Sequence, residues 1–273
     1  MSLRIQNNVE AFNAHRELEQ TSDKLSQSME KLSSGYRINK AADDSAGLAI
    51  SEKLRAQIGG LDQAQRNAQD AISMVATAEG AMAEVHSMLQ RVRELAVQFN
   101  NGTLSTSDQA SIQDEVTQLG QEISRIASQT KFNDVALLTG TSTITFQIGG
   151  EDGQTLSISA VNLYGSGAAV DPSIFTFVPG GTGTISAVDA AIENVSTARS
   201  TFGSVQNRLE HTLNNLATFQ ENLQSSESRI RDVDMASEMV NFTKLQILQQ
   251  AGTAMLAQAN TLPQSVLQLL RGT

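Results

Sequence analysis

Adjacent carboxylates beside basic groups can hold a metal ion or perform acid–base chemistry. Asp43 and Asp44 form such a pair in SSGYRINKAADDSAGLAIS, residues 33–51, with Arg37 and Lys40 close by. A metal site would need further Asp, Glu or His side chains converging from elsewhere. The 3 histidines, His15, His86 and His211, are scattered and match no HExxH-type spacing. The same aspartates have a structural use. Either can N-cap the helix that resumes at Ser45 and complement its dipole, or pair with Arg37 or Lys40. The cap pattern favours this second use. GGEDG, residues 149–153, joins two short strands and opens no helix, so it is not a phosphate loop. No serine stands in a GxSxG frame. The residues therefore point to no catalytic group, no metal site, no cofactor and no enzyme.

A second stretch, LQRVRELAVQ, residues 89–98, carries charge of a different kind. Leu89, Val92 and Ala96 fall on an apolar seam, which turns Gln90, Arg91, Glu94 and Gln98 outward. Arg91 and Glu94, three apart, form either a solvated ion pair or a charged docking face. Periodicity leaves both readings open.

The elements that position these residues are long helices. Positions 61, 64, 68, 71, 75, 78, 82, 85, 89, 92, 96 and 99 are all apolar or small, an unbroken heptad seam that must face a partner helix. A helix over that span is about 58 Å long. Gly59-Gly60 just before it is expected to loosen its start. A second seam runs from Val188 to Val233, with Thr212 and Ser226 as its polar positions. It matches the first in length and can cover it. A shorter helix is expected from about Ser107 to Thr130, with Ile112, Val116, Leu119, Ile123 and Ile126 on one face and a capping box at Thr106 and Gln109. Residues 141–181 are rich in Gly, Thr and Ser. Alternation at Ile144, Phe146 and Ile148, then at Leu156 and Ile158, predicts a β-hairpin, and Ile174 to Val178 a further short strand pair. The termini carry poorer heptads: Ala11, His15, Leu18, Ser22, Leu25, Met29 and Leu32 at one end; Leu245, Leu248, Gly252, Met255, Ala259, Leu262, Val266 and Leu269 at the other. Weak seams predict ends that are loose in the lone chain and need a partner. Pro263 is expected to kink the last helix.

Composition narrows the partners. The 273 residues carry a net charge of -10, 29 acidic against 19 basic, which disfavours nucleic acid and anionic lipid. Aromatics are 4%, and there is no Cys, which excludes disulfides, zinc thiolates and thiol catalysis. No stretch approaches the roughly 18 apolar residues of a membrane span, and the N-terminus lacks the apolar run of a cleaved signal. Export, if it occurs, takes a route that reads no such signal.

Four stretches resemble one family. NNVEAFNAHRELEQTSDKLSQSMEKLSSGYRINKAADDSAGLAISEKLRAQI, LQRVRELAVQ, SIQDEV and KLQILQQAGTAMLAQANTLPQSVLQLLR are similar, in this order, to the two ends of bacterial flagellin, the subunit of the flagellar filament. The resemblance implies a mainly α fold, a long antiparallel coiled-coil bundle with a small β-hairpin region and paired terminal helices. It implies an inner tube domain from 1–33 with 234–273, a linker at 34–50 and a rod-like domain at 51–233 that includes the hairpins of 141–181. No room remains for the large outer domains of some relatives. Arg37, Lys40, Asp43 and Asp44 become linker interface groups. Leu18, Leu25, Leu32, Leu245, Leu248, Met255, Leu262, Val266 and Leu269 become assembly residues of the terminal helices. Gln90, Arg91, Glu94, Leu95 and Glu115 become a subunit interface and host-receptor patch, with Leu95 partly exposed beside the seam. The C-terminal Val266, Leu267, Leu269, Leu270 and Arg271 match a second receptor's target. The implied partners are other copies of the chain, an export chaperone and the flagellar secretion apparatus, filament cap and hook-junction proteins, and host innate immune receptors. The implied place is the extracellular flagellum. The nearest alternatives are a hook–filament junction protein of similar design and an unrelated coiled-coil structural protein.

Overall fold

The structure, a computed structural model, describes residues 8–140, 143–178 and 184–271, with 262–271 described by backbone alone. The elements are α1 (Val9–Ser34), α2 (Ser45–Phe99), α3 (Thr106–Gln129), β1 (Lys131–Phe132), β2 (Val135–Ala136), β3 (Thr143–Gln147), β4 (Thr155–Ser159), a short 3-10 helix (Pro172–Phe175), α4 (Thr184–Arg231) and α5 (Met235–Arg271). This is the mainly α, hairpin-bearing fold that the resemblance implies, with its long helices where the heptads place them. Two compact units form. Unit 1 joins Met1–Ala56 to Asn222–Thr273, and unit 2 is Gln57–Glu221.

In unit 2 all twelve seam positions of α2 are buried, from Leu61 at 3% exposure to Phe99 at 5%. Their cover is α4, which runs antiparallel. Gln65 donates to Gln220 (2.6 Å), Arg199 to Glu79 (3.0 Å) and Arg93 to Asp189 (2.6 Å), so low numbers on one helix meet high numbers on the other. On α4, Val188, Ala191, Val195, Phe202, Val205, Leu209 and Leu216 are buried. Phe219 departs from the expected seam and is 49% exposed. The next residue, Gln220, turns inward instead, because its amide finds Gln65 across the gap. The third layer is α3, through Ile112, Val116 and Ile123. Its capping box lies one residue earlier than expected. Ser105 accepts from the Asp108 N–H at 3.2 Å, and Asp108 accepts from the Ser105 N–H at 3.1 Å.

Two further expectations are corrected. Gly59-Gly60 does not mark a helix start, since α2 begins at Ser45 and runs through both. Gly60 instead admits the hairpin turn: a Cβ there would lie 3.4 Å from Gly150 Cα. Ile174 to Val178 forms no strand pair. Asp171 caps the 3-10 helix by accepting from Ser173 N, and Ile174, Phe175 and Phe177 are buried as anchors under α3 and α2. Gln113 secures them, donating to Phe175 O (2.6 Å) and accepting from Phe177 N (2.8 Å). The predicted hairpin forms as β3–β4, antiparallel, with Ile144 opposite Ile158 and Phe146 opposite Leu156. A smaller hairpin, β1–β2, escapes the periodicity. Its turn residues Asn133 and Asp134 take φ of 47° and 64°, the left-handed pair that a two-residue hairpin loop requires.

Candidate assembly surface

Unit 1 is built on α1 and α5. Asn8 Nδ2 donates to Ala259 O (2.9 Å), Gly252 would place a Cβ 3.1 Å from Leu18 Cδ1, and Ser28 Oγ donates to Glu238 Oε1 (2.5 Å). Rising numbers on α1 meet falling numbers on α5, so the helices pair antiparallel within one chain, where weak seams alone predict loose ends. Gly252 serves this pairing, because its missing side chain makes room for Leu18.

The facing positions differ from those read in the sequence. On α1 the covered side runs through Ala11, Ala14, Leu18, Thr21, Leu25, Ser28 and Leu32, while His15, Ser22 and Met29 turn out. On α5 it runs through Glu238, Phe242, Leu245, Gln249, Gly252, Leu256 and Ala259. Leu245 is buried at 7%, but Leu248 is 47% exposed and Met255 66%. Both expected frames share every second contact with the real one. The apolar character of Met29, Leu248 and Met255 favours the wrong alternate positions, and the polar pair Ser28–Glu238 conceals the right ones. Leu262, Val266, Leu267, Leu269, Leu270 and Arg271 have side chains outside those described.

The consequence is an uncovered apolar surface. Of the exposed large apolar side chains, unit 2 has Val97, Val135, Val178 and Phe219. Among the described residues the smaller unit 1 has ten, including Phe12 at 73%, Val240 at 71% and Ile247 at 60%. The exposed large apolar side chains are thus concentrated in unit 1.

The connections on either side of the pair are clasped together. Arg37 N donates to Arg231 O (2.7 Å) and Val233 N to Gly35 O (3.0 Å), with Tyr36 opposite Asp232. The Arg231 guanidinium lies over the Tyr36 ring, 4.9 Å from its centre, and donates to Glu52 (2.5 Å). That bond holds the Glu52 carboxyl below its usual range. Tyr36, Glu52 and Arg231 escaped sequence reasoning, since their partners lie far apart in the chain.

Asp43 and Asp44 divide the structural work. Asp44 caps α2 by accepting from Gly47 N (2.8 Å). Asp43 accepts from the backbone N–H groups of Lys40 (2.9 Å) and Asn39 (3.1 Å), which lower its pKa. Within the chain neither aspartate forms an ion pair with the Arg37 or Lys40 side chain. Arg37 donates to Ile230 O (2.6 Å), and Lys40 pairs with Glu30 (2.7 Å), which raises the lysine's pKa. Among the described residues no three His, Asp or Glu side chains are grouped to hold a metal.

The charged patch lies in unit 2. Arg91 donates to Glu115 on α3 (2.9 Å) and to Glu94 (3.2 Å), which raise its pKa in that order, and its side chain stays 50% exposed. Gln90 Nε2 lies 3.1 Å from His86 Nε2. Leu95 is corrected. At 1% exposure it belongs to the core, because it turns toward the helices that cover α2 and offers nothing to a docking partner.

The bacterial flagellin N-terminal helical region matches residues 5–143, and the bacterial flagellin C-terminal helical region matches residues 185–270. The chain belongs to the bacterial flagellin family. A flagellin of Halalkalibacterium halodurans is 53% identical over 270 residues, covering 98% of this chain and 99% of that one. A flagellin of Bacillus subtilis is 47% identical over 304 residues, covering 98% and 100%. The flagellar filament 33 kDa core protein of Treponema phagedenis is 46% identical over 287 residues, covering 98% and 99%. Near end-to-end matching to flagellins of this length leaves no large variable domain between the two helical regions. Among solved structures, a flagellar hook-associated protein from Vibrio parahaemolyticus matches with a TM-score of 0.59 over 70% of this chain and 100% of that one, at 15% identity. That likeness is one of fold. No described helix is long and apolar enough to cross a membrane.

Proposed function

We propose that this flagellin is a structural subunit that polymerises with copies of itself into the filament of the bacterial flagellum, the propeller of swimming motility. The observation that carries the reading is the unevenly placed apolar surface: a family of filament proteins, and a terminal helix pair with Phe12, Val240 and Met255 left in solvent. Burying such side chains against neighbouring subunits removes apolar area from water, worth about 25 cal/mol per Å² before the entropic costs of association are met. The role is mechanical and not enzymatic. Residues 1–33 with 234–273 act as the inner tube domain, 34–50 as the linker and 51–233 as the rod-like domain.

The clasp and the caps of the linker hold its backbone for contact with neighbours, with Arg37, Lys40, Asp43 and Asp44 at that interface. Leu18, Leu25 and Leu32 with Leu245 hold the pair, while Leu248, Met255, Leu262, Val266 and Leu269 serve assembly. Gln90, Arg91, Glu94 and Glu115 form a subunit contact that a host innate receptor reads in the free chain. The subunit leaves the cell through the flagellar secretion apparatus without a cleaved signal, escorted by an export chaperone. It meets hook-junction and cap proteins at the filament's ends. Identity of 53% to a flagellin supports a filament subunit over a hook–filament junction protein.

The test is seeded polymerisation followed by electron microscopy, comparing the full chain with one lacking residues 262–273. The full chain should form smooth tubes. The truncated chain should keep its unit 2 melting transition and form none. Normal filaments from the truncated chain would remove the terminal helices from the mechanism.

A further inference from the structure

The methionines divide between the units. Unit 2 buries Met74 and Met82, at 3% and 0% exposure. In unit 1, Met29, Met235, Met239 and Met255 are 54%, 48%, 49% and 66% exposed. A thioether in solvent adds little to a core, yet it is a flexible apolar group well suited to fill a partner's surface.

Three of the four share one flank. Ser28 and Glu238 face one another across the antiparallel pair. Each further residue of a right-handed helix turns by about 100°. Because the helices run in opposite directions, the residue after each of two facing residues turns to the same side of the pair. Met29 follows Ser28 and Met239 follows Glu238, so both lie on one flank, and Met235 sits one turn before Met239. Met255 precedes the covered Leu256 and therefore falls on the opposite flank.

We propose that Met29, Met235 and Met239 form an oxidation-sensitive docking surface for a second copy of the chain, so that peroxide acting on the free subunit blocks its addition to a polymer. This rests on the filament reading above, which supplies the occupant: the filament proteins among the relatives are close in sequence, and exposed apolar side chains concentrate in this unit. The chemistry is an oxygen transfer. A sulfur lone pair attacks one oxygen of hydrogen peroxide, an S–O bond forms as the O–O bond breaks, and with proton transfer the other oxygen leaves as water. Sulfur is oxidised by two electrons and peroxide is reduced. The thioether becomes a polar sulfoxide whose oxygen demands a hydrogen-bond donor, and burying it against apolar side chains without one opposes docking. Once docked, the sulfurs are shielded by the neighbour.

The free full-length chain would be treated with hydrogen peroxide, cleared of it, and assayed by seeded elongation, with sulfoxide at each methionine followed by mass spectrometry. Elongation should fall at least about tenfold, as expected when an unpaired polar group is buried at an interface, while the unit 2 melting transition stays in place. Treatment with both epimer-specific methionine sulfoxide reductases should restore growth. A Met29→Leu, Met235→Leu, Met239→Leu chain should resist peroxide, and the same three sulfurs should oxidise more slowly in filaments than in the free chain. Unimpaired elongation by wild type carrying all three sulfoxides would overturn the inference alone. So would equal loss of growth in the leucine chain after peroxide, or no recovery after reductase treatment. Untreated wild type that cannot elongate would overturn the filament reading, and this inference with it.

Discussion

The seams of α2 and α1 differ in what stands beside them. Along α2, apolar residues fill the heptad and are covered: Ala68, Val75, Met82, Val85, Leu89 and Val92 are all at 0% exposure. Along α1, the covered side includes Ala14, Thr21 and Ser28, while Phe12 and Met29 face water. The first arrangement spends its apolar area inside the chain. The second leaves much of it for a neighbour. One sequence thus carries two solutions to the same helical problem, a bundle that covers its own apolar face and a pair that leaves much of its face uncovered.

The largest expected effect tests that division. Leu89→Ala, at a position with 0% exposure, should destabilise unit 2 by about 2–5 kcal/mol, the range for emptying a packed leucine site. Leu248→Ala, at 47% exposure, should change the denaturation midpoint by no more than about 0.5 kcal/mol in stability, yet slow seeded elongation. Chemical denaturation followed by circular dichroism reads the first and light scattering the second. Similar destabilisation by both substitutions would erase the distinction between the two seams.

The same contrast explains which features were legible in the sequence. Twelve apolar positions in heptad spacing leave α2 a single possible buried face, and the structure uses it. The β3–β4 hairpin was equally plain, since Ile144, Phe146, Leu156 and Ile158 alternate with polar residues on either side of a Gly-rich turn. The α1–α5 pair was implied by the resemblance to flagellins, whereas its heptads alone predicted loose ends and misplaced its frame. Its true contacts include a serine, a glutamate and a glutamine, types that periodicity assigns to water, and its exposed side includes methionines that periodicity assigns to the core. Phe219 misled for the same reason. The clasp of Tyr36, Arg231 and Glu52 left no local signal, because backbone bridging across nearly two hundred residues depends on how the chain closes. Asp44 was readable as a cap, whereas the loop geometry that gives Asp43 to two backbone N–H groups was not.

A smaller effect is expected at that linker. Asp44→Ala removes the α2 cap and should cost about 1 kcal/mol, seen as lower helix content near residues 45–50 by hydrogen exchange. Asp43 adds a pH dependence. Its folded pKa lies below the ordinary 3.8 because the Lys40 and Asn39 N–H groups stabilise the carboxylate. The stabilisation is therefore complete above the ordinary value and is lost as pH falls through the depressed one. At neutral pH the turn should be ordered, and it should loosen only in acid. Exchange protection at the Lys40 and Asn39 amides, followed by NMR on acidification, should show this step in wild type and a weaker or absent one in Asp43→Asn.

The smallest effect on stability, and the sharpest on function, is expected at Arg91. The side chain is 50% exposed and pairs with Glu115 and Glu94, themselves 45% and 70% exposed. Solvent screens such pairs, so Arg91→Ala should leave the unit 2 melting midpoint nearly unchanged. Its neighbour Leu95, at 1% exposure, provides the contrast: Leu95→Ala should melt early, and any loss of polymerisation or receptor signalling in that chain reports folding. If Arg91 serves an outside partner, Arg91→Ala should elongate poorly and signal poorly while melting normally. The exchanged chain, Arg91→Glu with Glu115→Arg, separates the two remaining roles. It can rebuild the internal ion pair between α2 and α3, but it presents reversed charges to anything that docks. A guanidinium engages a carboxylate or carbonyl in a fixed fork, and a carboxylate in its place cannot. Persistent loss of elongation in the exchanged chain would therefore assign Arg91 to the interface between subunits. Recovery of both elongation and signalling would assign it to holding α3 against α2, and the charged patch would then be a brace within unit 2.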